Sequence, residues 1–333
     1  MSLKLSESIT KISSNFILLK YKHQSKVERG IGSPNSVIVE NNEEIAVIDP
    51  ASWTHNLKLF LKYKNKEQIQ ENYSVRKIAL THEHWDHILA GSYFQEKLDF
   101  EISSSELEKE AVEDEEILFK HMFGDYPILE REMRISTISK KVVKKTITWM
   151  WGPYYSMKVS NTLKEGDTFF DEPQIKVIET PSHTSGSLSF YVPTDKILIS
   201  GDLMDLETGV GLDLNNPYSS VEAGLRSLEK VKKLDIEILI PGHGEIVKGK
   251  ETIKKLFEKR IQETTSIYNK IIELLETRPT TLRGLVIGVF PDTRWKINLY
   301  YLRKYLIFAY LNEINKKRGL NIEQKLNKTQ ISI

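Results

Sequence analysis

The sequence predicts an α/β protein built from layers of helix and sheet, followed by a smaller helical module at the C-terminus. Three observations carry this expectation. Short β-rich runs alternate with helical patterns as far as residue 245, histidine and aspartate concentrate directly after short apolar runs, and the pattern turns wholly helical after Val247.

Taken in order, Val37–Val39 and Ile45–Asp49 flank Asn41-Asn42-Glu43-Glu44 and read as a hairpin. Leu57 to Ile69 reads as a helix, and Lys77-Ile-Ala-Leu80 as a short buried strand ending at Thr81. Residues 103–120 read as a charged helical segment with a serine cap and glutamates in its first turns. Strands follow at Ile175–Glu179, Leu188–Val192 and Ile197–Ser200, then a helix from Val221 to Lys232 and a strand from Ile236 to Ile240. Beyond these, helical stretches at 251–276, 281–289 and 296–317 are separated by Arg278-Pro279-Thr280-Thr281 and Pro291-Asp292. The expected division is a catalytic domain over 1–250 and a helical domain over 251–333.

Composition narrows the chemistry. The 333 residues include no cysteine, which excludes disulfides, thiolate metal sites and cysteine nucleophiles and leaves histidine and carboxylate as strong metal ligands. No apolar run reaches the roughly 18 residues of a membrane span, and Met1–Ser8 lacks the apolar core of a signal peptide, so a cytoplasmic protein without a membrane partner is expected. The net charge of +1 hides a balance of +9 from Lys250 onward against −8 before it. A basic C-terminal part suits an anionic partner such as RNA, a phosphate or a carboxylate, and equally suits a solvated helical surface.

The decisive string is Thr81-His82-Glu83-His84-Trp85-Asp86-His87. Chance produces His-x-His-x-Asp-His in a chain of this composition roughly a few times in ten thousand. In an extended turn His82 and His84 point to one side and share a metal, while Asp86 and His87, on the tightening turn beyond, face a second ion. Neutral imidazole and carboxylate suit Zn²⁺, and also Fe or Mn. Glu83 and Trp85 occupy the intervening positions, Glu83 as a supporting or surface residue and Trp85 as packing beside the pocket.

Three further candidates repeat one plan, a strand followed by a glycine-containing loop with a ligand-type side chain. They are His183 in Thr180-Pro-Ser-His-Thr-Ser-Gly186, Asp202 in Ser200-Gly-Asp-Leu203 and His243 in Pro241-Gly-His-Gly244. Five of the eight histidines are used in this way, and His23, His55 and His121 receive no role.

In these residues the chain resembles the metallo-β-lactamase superfamily, whose ordered signature is Asp, then His-x-His-x-Asp-His, then His, Asp and His. The resemblance runs from Asp49 to His243 and implies an αββα sandwich with metals at one edge of the two sheets. It also implies that His82, His84 and His183 hold one metal and that Asp86, His87 and His243 hold the other. Asp202 would bridge them, and Asp49 would orient a ligand histidine. A looser similarity after Val247, through Glu258-Lys-Arg260 and Tyr268, is to β-lactamase-like protein 2 and its relatives, and implies a winged-helix-like C-terminal domain. Two departures concern loop geometry. Leu89-Ala90 replaces the usual Gly-Gly, with Gly91 one place later, and Ser182 precedes the loop histidine where glycine is usual. The segment around 105–160 reads as an insertion, with Trp149, Trp151, Tyr154 and Tyr155 as packing residues at the pocket mouth.

The resemblance implies a hydrolase in which a metal-bridging hydroxide cleaves a small ester, thioester or lactone, with Asp86 orienting the nucleophile and taking its proton. Two other chemistries share the ligand string: an endoribonuclease gripping single-stranded RNA through the basic C-terminal part, and a persulfide dioxygenase with one iron. Gly-x-Ser-x-Gly is absent, so no serine nucleophile is needed. Oligomeric state is not written in these residues.

Overall fold

The computed structural model describes residues 9–20, 34–53, 55–66, 73–124, 128–129, 137–206, 211–214, 216–295, 297–325 and 328–333. Two sheets face one another. The first has the order β1(Ile9–Lys11), β2(Phe16–Leu19), β3(Ser36–Glu40), β4(Glu44–Ile48), β5(Val75–Ala79), β6(Glu101–Ser105) and β7(Val159–Leu163). The second holds β8(Thr168–Phe170), β9(Ile175–Glu179), β10(Leu188–Val192), β11(Ile197–Ile199), β12(Ile238–Ile240) and β13(Val247–Lys248).

Strand alternation builds the layers. Phe16, Leu18, Val37, Val39, Ala46 and Ile48 pack in one cluster with Val177, Phe190, Ile197, Ile199 and Ile240, which fills the space between the sheets. Their neighbours Ile17, Leu19, Ile38, Ile45 and Val47 point the other way into a cluster with Phe60, Trp85, Phe94, Leu118 and Phe119. That outer layer comprises α1(Asn56–Lys66), α2(Trp85–Ile88), α3(Gly91–Leu98), α4(Lys109–Glu113), α5(Glu115–Phe123) and α6(Thr137–Trp151). On the far side Ile178, Tyr191, Leu198 and Leu239 pack with residues of α7(Val221–Val231), α8(Lys250–Thr277), α9(Leu282–Val289) and α10(Ile297–Arg318). The architecture is an αββα sandwich.

The expected strands and helices fall within a few residues of their places. The expected 57–69 helix begins one residue earlier, at Asn56, and is described to Lys66; its last residues lie outside the described range. Two expectations are corrected. Residues 103–105 are not helical but end strand β6, paired in parallel with β5 and β7. Ser103 and Ser104 are buried strand residues whose small polar side chains read as cap candidates. The capping serine is Ser105, whose Oγ accepts from Leu107 N at 3.1 Å and opens a 3₁₀ turn over Glu106–Glu108. The C-terminal part is also not wholly helical, because β14(Asn321–Lys325) and β15(Lys328–Ser332) form an antiparallel hairpin. Its sequence is mostly polar, and it is anchored by Ile331, fully buried and bridged to Thr280.

The helices beyond residue 250 share a core with the second sheet. Arg260 of α8 is 6% exposed and donates to the carbonyls of Gly211 and Asp205, the latter at 2.8 Å. No helix among the described residues is long and apolar enough to cross a membrane.

Candidate metal centre

Each candidate ligand stands just beyond the C-terminal end of a strand. Thr81 to His87 follow β5, Thr180 to Gly186 connect β9 to β10, Asp202 follows β11 and His243 follows β12. Because β4 and β5 run parallel, as do β11 and β12, these ends meet along one edge of the sandwich. All seven residues expected from the sequence come together there.

They form two groups whose ligand-type atoms lie within 4.8 Å of one another: His82, His84, His183 and Asp202, and Asp86, His87 and His243. In the first group His183 Nε2 is 2.7 Å from His84 Nδ1 and 3.4 Å from Asp202 Oδ2, and His82 Nε2 is 3.8 Å from the same oxygen. In the second, His243 Nε2 is 3.2 Å from Asp86 Oδ2 and 3.3 Å from His87 Nε2. Asp202 lies between the groups, with Oδ1 3.5 Å from His87 Nε2.

Two observations fit this cluster to divalent metal. His82 Nε2 and Asp202 Oδ1 are buried without a hydrogen-bond partner among the described residues, a costly state for polar atoms that a cation resolves. The donor set is imidazole and carboxylate, which suits borderline divalent ions. Burial, reinforced by the neighbouring imidazoles, holds His82 and His84 well below the ordinary histidine range, so both are the neutral form that binds metal. His87 behaves differently. Burial pushes it down, but the carboxylates of Asp202, Asp49 and Asp86 outweigh burial and hold it up to about 9.

The groups behind the cluster fix its imidazoles. Asp49, left-handed at φ 54°, receives Thr81 N at 2.8 Å on Oδ1 and Thr81 Oγ1 at 2.7 Å on Oδ2. The same Oδ2 lies 2.9 Å from His87 Nδ1, and Thr81 Oγ1 lies 3.0 Å from His82 Nδ1. With their Nδ1 atoms engaged, His82 and His87 turn Nε2 toward the cluster. His183 Nδ1 donates to Asp213 O at 2.9 Å, and Asn216 Nδ2 donates to His183 O at 2.7 Å and lies 3.3 Å from His84 Nε2. Gly242 is obligatory beside Asp202, since a Cβ there would stand 1.9 Å from Oδ1.

The loops are braced by residues that sequence reasoning missed. Glu108, 2% exposed, accepts from Thr184 Oγ1, from Gly186 N at 3.1 Å and from the Glu83 backbone N–H, so one carboxyl group, its pKa pushed well up by burial and by Glu83, ties the motif loop to the His183 loop. Glu83 is buried and lies 2.9 Å from Nδ1 of His121, the histidine with no expected role. Thr81, Asp213 and Asn216 lacked any signal stronger than a polar residue in a loop. Of the other unassigned histidines, His55 opens the α1 turn, its carbonyl accepting from Leu59 N at 3.1 Å, and His23 lies outside the described residues.

Trp85 is buried and packs on Phe119 and Phe123 of α5, with ring centroids at 5.8 and 5.9 Å. Of the expected aromatic packing, Trp151 and Tyr154 are partly buried against that layer, while Trp149 is 76% exposed. The two departures in loop sequence are accommodated locally. Gly91 faces Met157 Sδ, 2.7 Å from where its Cβ would stand, and Gly224 of α7 makes room for Ser182 Oγ.

The fold agrees with comparison to known proteins. The model of the metallo-beta-lactamase superfamily matches residues 29–243, and the chain belongs to that superfamily. A beta-lactamase-like protein 2 homolog of Caenorhabditis elegans is 28% identical over 130 residues, 39% of this chain and 41% of that protein. A hydroxyacylglutathione hydrolase of Brucella ovis is 33% identical over 85 residues, 25% of this chain and 29% of the enzyme. The matches thus span well under half the length of these relatives. Among solved structures, a metallo-beta-lactamase family protein from Thermus thermophilus superposes with a TM-score of 0.71 at 18% identity, covering 96% of this chain and 99% of that one. A beta-lactamase domain protein from Burkholderia ambifaria gives 0.66 at 14% identity, covering 98% and 94%. Both extend the likeness in fold across the C-terminal helices.

Proposed function

We propose that the chain is a metal-dependent hydrolase that cleaves a small ester, thioester or lactone, with two Zn²⁺ held at the sandwich edge. His82, His84 and His183 hold one ion, Asp86, His87 and His243 the other, and Asp202 serves both. The observation that carries the reading is the position of Asp202, within 3.4 Å of His183 Nε2 through one oxygen and 3.5 Å of His87 Nε2 through the other. A mononuclear centre would leave the second group without a purpose, which is why a two-ion hydrolase is preferred to the one-iron dioxygenase.

Bound ions supply Lewis acidity and bring the pKa of water toward neutrality. The chain's own residues do the rest. Burial raises the Asp86 carboxyl, but His87 and His243 outweigh burial and keep it ionised, as an acceptor for the proton of attacking water must be. Water adds to the carbonyl carbon, the bond to sulfur or oxygen breaks, and that proton passes to the leaving group. Asp49, Thr81 and Asp213 hold the imidazoles so that no reorganisation accompanies the step. Support for the thioester class is the name of the hydroxyacylglutathione hydrolase relatives.

Residues 1–250 would be the catalytic unit and 251–333 an appended, mostly helical unit packed on the second sheet. The +9 balance beyond Lys250 favours a second reading, cleavage of single-stranded RNA, which predicts salt-sensitive RNA binding. Elemental analysis of purified protein, followed by a panel of thioesters, lactones and RNA, separates these readings. Metal-free protein, or activity unchanged in His84→Ala and Asp202→Ala, overturns the two-ion hydrolase.

A further inference from the structure

We propose that His121 and Tyr218 form a recognition site for a carboxylate on the acyl portion of the substrate. The inference rests on the hydrolase reading above and names the substrate class that this edge prefers.

The two rings pack at 4.8 Å between centroids with an interplanar angle of 54°. They come from distant parts of the chain, His121 from α5 and Tyr218 from the segment before α7. Each is tied to the His82–His84–His183 side of the centre. Glu83, between two ligand positions, holds His121 Nδ1 through both carboxylate oxygens at 2.9 and 3.0 Å. Tyr218 N donates to Asn216 Oδ1 at 2.9 Å, and the Asn216 amide nitrogen lies 2.7 Å from His183 O and 3.3 Å from His84 Nε2. Two separate tethers therefore connect this ring pair to the His82–His84–His183 group.

Both side chains remain reachable. The His121 side chain is 24% exposed and Tyr218 is 41% exposed, in contrast to the buried Glu83. With Nδ1 engaged by Glu83, the opposite ring edge presents Nε2, which has no partner among the described residues. A buried carboxyl group that fixes one imidazole nitrogen and leaves the second unengaged produces an oriented donor. The hydrogen bond that His121 Nδ1 makes to Glu83 raises its pKa above the ordinary range; burial and Lys120 act against this, and Glu110 acts with it. Tyr218 adds an aromatic wall and a hydroxyl with both donor and acceptor capacity. Tethered to the first ligand group through Glu83 and Asn216, the pair would meet the part of the substrate lying over that group, taken as the acyl side.

The test compares wild type with His121→Gln, which keeps a donor but removes the charge. The substrates are the N-acetylcysteamine thioesters of succinate and butanoate, similar in length and different in charge. The expected result is a fall of about tenfold in the ratio of kcat/KM for succinyl over butanoyl, carried mainly by KM. Calorimetric binding of disodium succinate to the zinc-loaded protein is the second readout, and its Kd rises by a similar factor in His121→Gln. Equal losses on both thioesters together with an unchanged succinate Kd would assign His121 a structural role and overturn the proposal. If wild type hydrolyses neither thioester, the hydrolase reading fails separately, and the succinate Kd still decides whether His121 binds a carboxylate.

Discussion

Asp49 Oδ2 lies 2.9 Å from His87 Nδ1, linking the end of β4 to the motif helix across 38 residues of chain. The same carboxylate collects both donors of Thr81, at 2.8 and 2.7 Å, so one side chain sets the direction of two imidazoles. Asp49→Asn preserves volume but cannot accept on both oxygens. We expect metal affinity to fall about 10- to 100-fold, measured by chelator competition, with the circular dichroism spectrum retained. Unchanged affinity would show that His87 is positioned by other contacts.

Gly242→Ala tests the packing behind Asp202. The added methyl would stand 1.9 Å from Oδ1 and 2.8 Å from the Gly201 carbonyl carbon, so Asp202 must move. Stoichiometric metal binding should be lost in a protein that still folds. Full metal content in the variant would remove Asp202 from the ligand set.

Metal and protons compete at His87. In the metal-free protein its folded value of about 9 stands above the ordinary 6.5. Its charge therefore contributes stability that is fully present below about pH 6.5 and lost as pH rises through about 9. The denaturation midpoint of metal-free protein should fall between about pH 6 and pH 10, and zinc binding below about pH 9 should release protons. Calorimetry in buffers of different ionisation enthalpy reads that release directly; its absence would place His87 neutral before metal arrives.

Arg260 couples the C-terminal helices to the backbone at Asp205 and Gly211. Replacing it with Met removes the two hydrogen bonds that the guanidinium donates to the carbonyls of Asp205 and Gly211. A stability loss of about 2–3 kcal/mol is expected in urea denaturation. Removal of residues 251–333 is expected to be harsher, exposing Leu212, Leu228 and Leu239 of the shared core and giving aggregated protein in size-exclusion chromatography. A soluble, metal-loaded 1–250 fragment would instead establish an independent catalytic domain.

Glu108→Ala removes the carboxyl group that joins the motif loop to the His183 loop, leaving the Gly186 and Glu83 N–H groups without their acceptor. The expected cost is about 3 kcal/mol, again read by denaturation, with weaker metal retention on dialysis.

What the sequence determined by itself is local. Short apolar runs at Val37–Val39 and Ile45–Ile48 on either side of Asn41-Asn42-Glu43-Glu44 place two strands of a hairpin, and His82 to His87 cluster through spacing along six positions of chain. His183, Asp202 and His243 were legible because each follows an apolar run and stands beside glycine. The tertiary structure decided everything that depends on a partner far away in sequence. Ser103 and Ser104 became strand because β5 and β7 flank them, against their appearance as caps. Asp213, Asn216 and Glu108 carry no local pattern, and acquire their roles only when parallel strands bring their loops to one edge. His121 makes the contrast sharpest: unremarked on its charged helix, it is oriented by Glu83, 38 residues earlier, through a hydrogen bond that only the folded chain brings together.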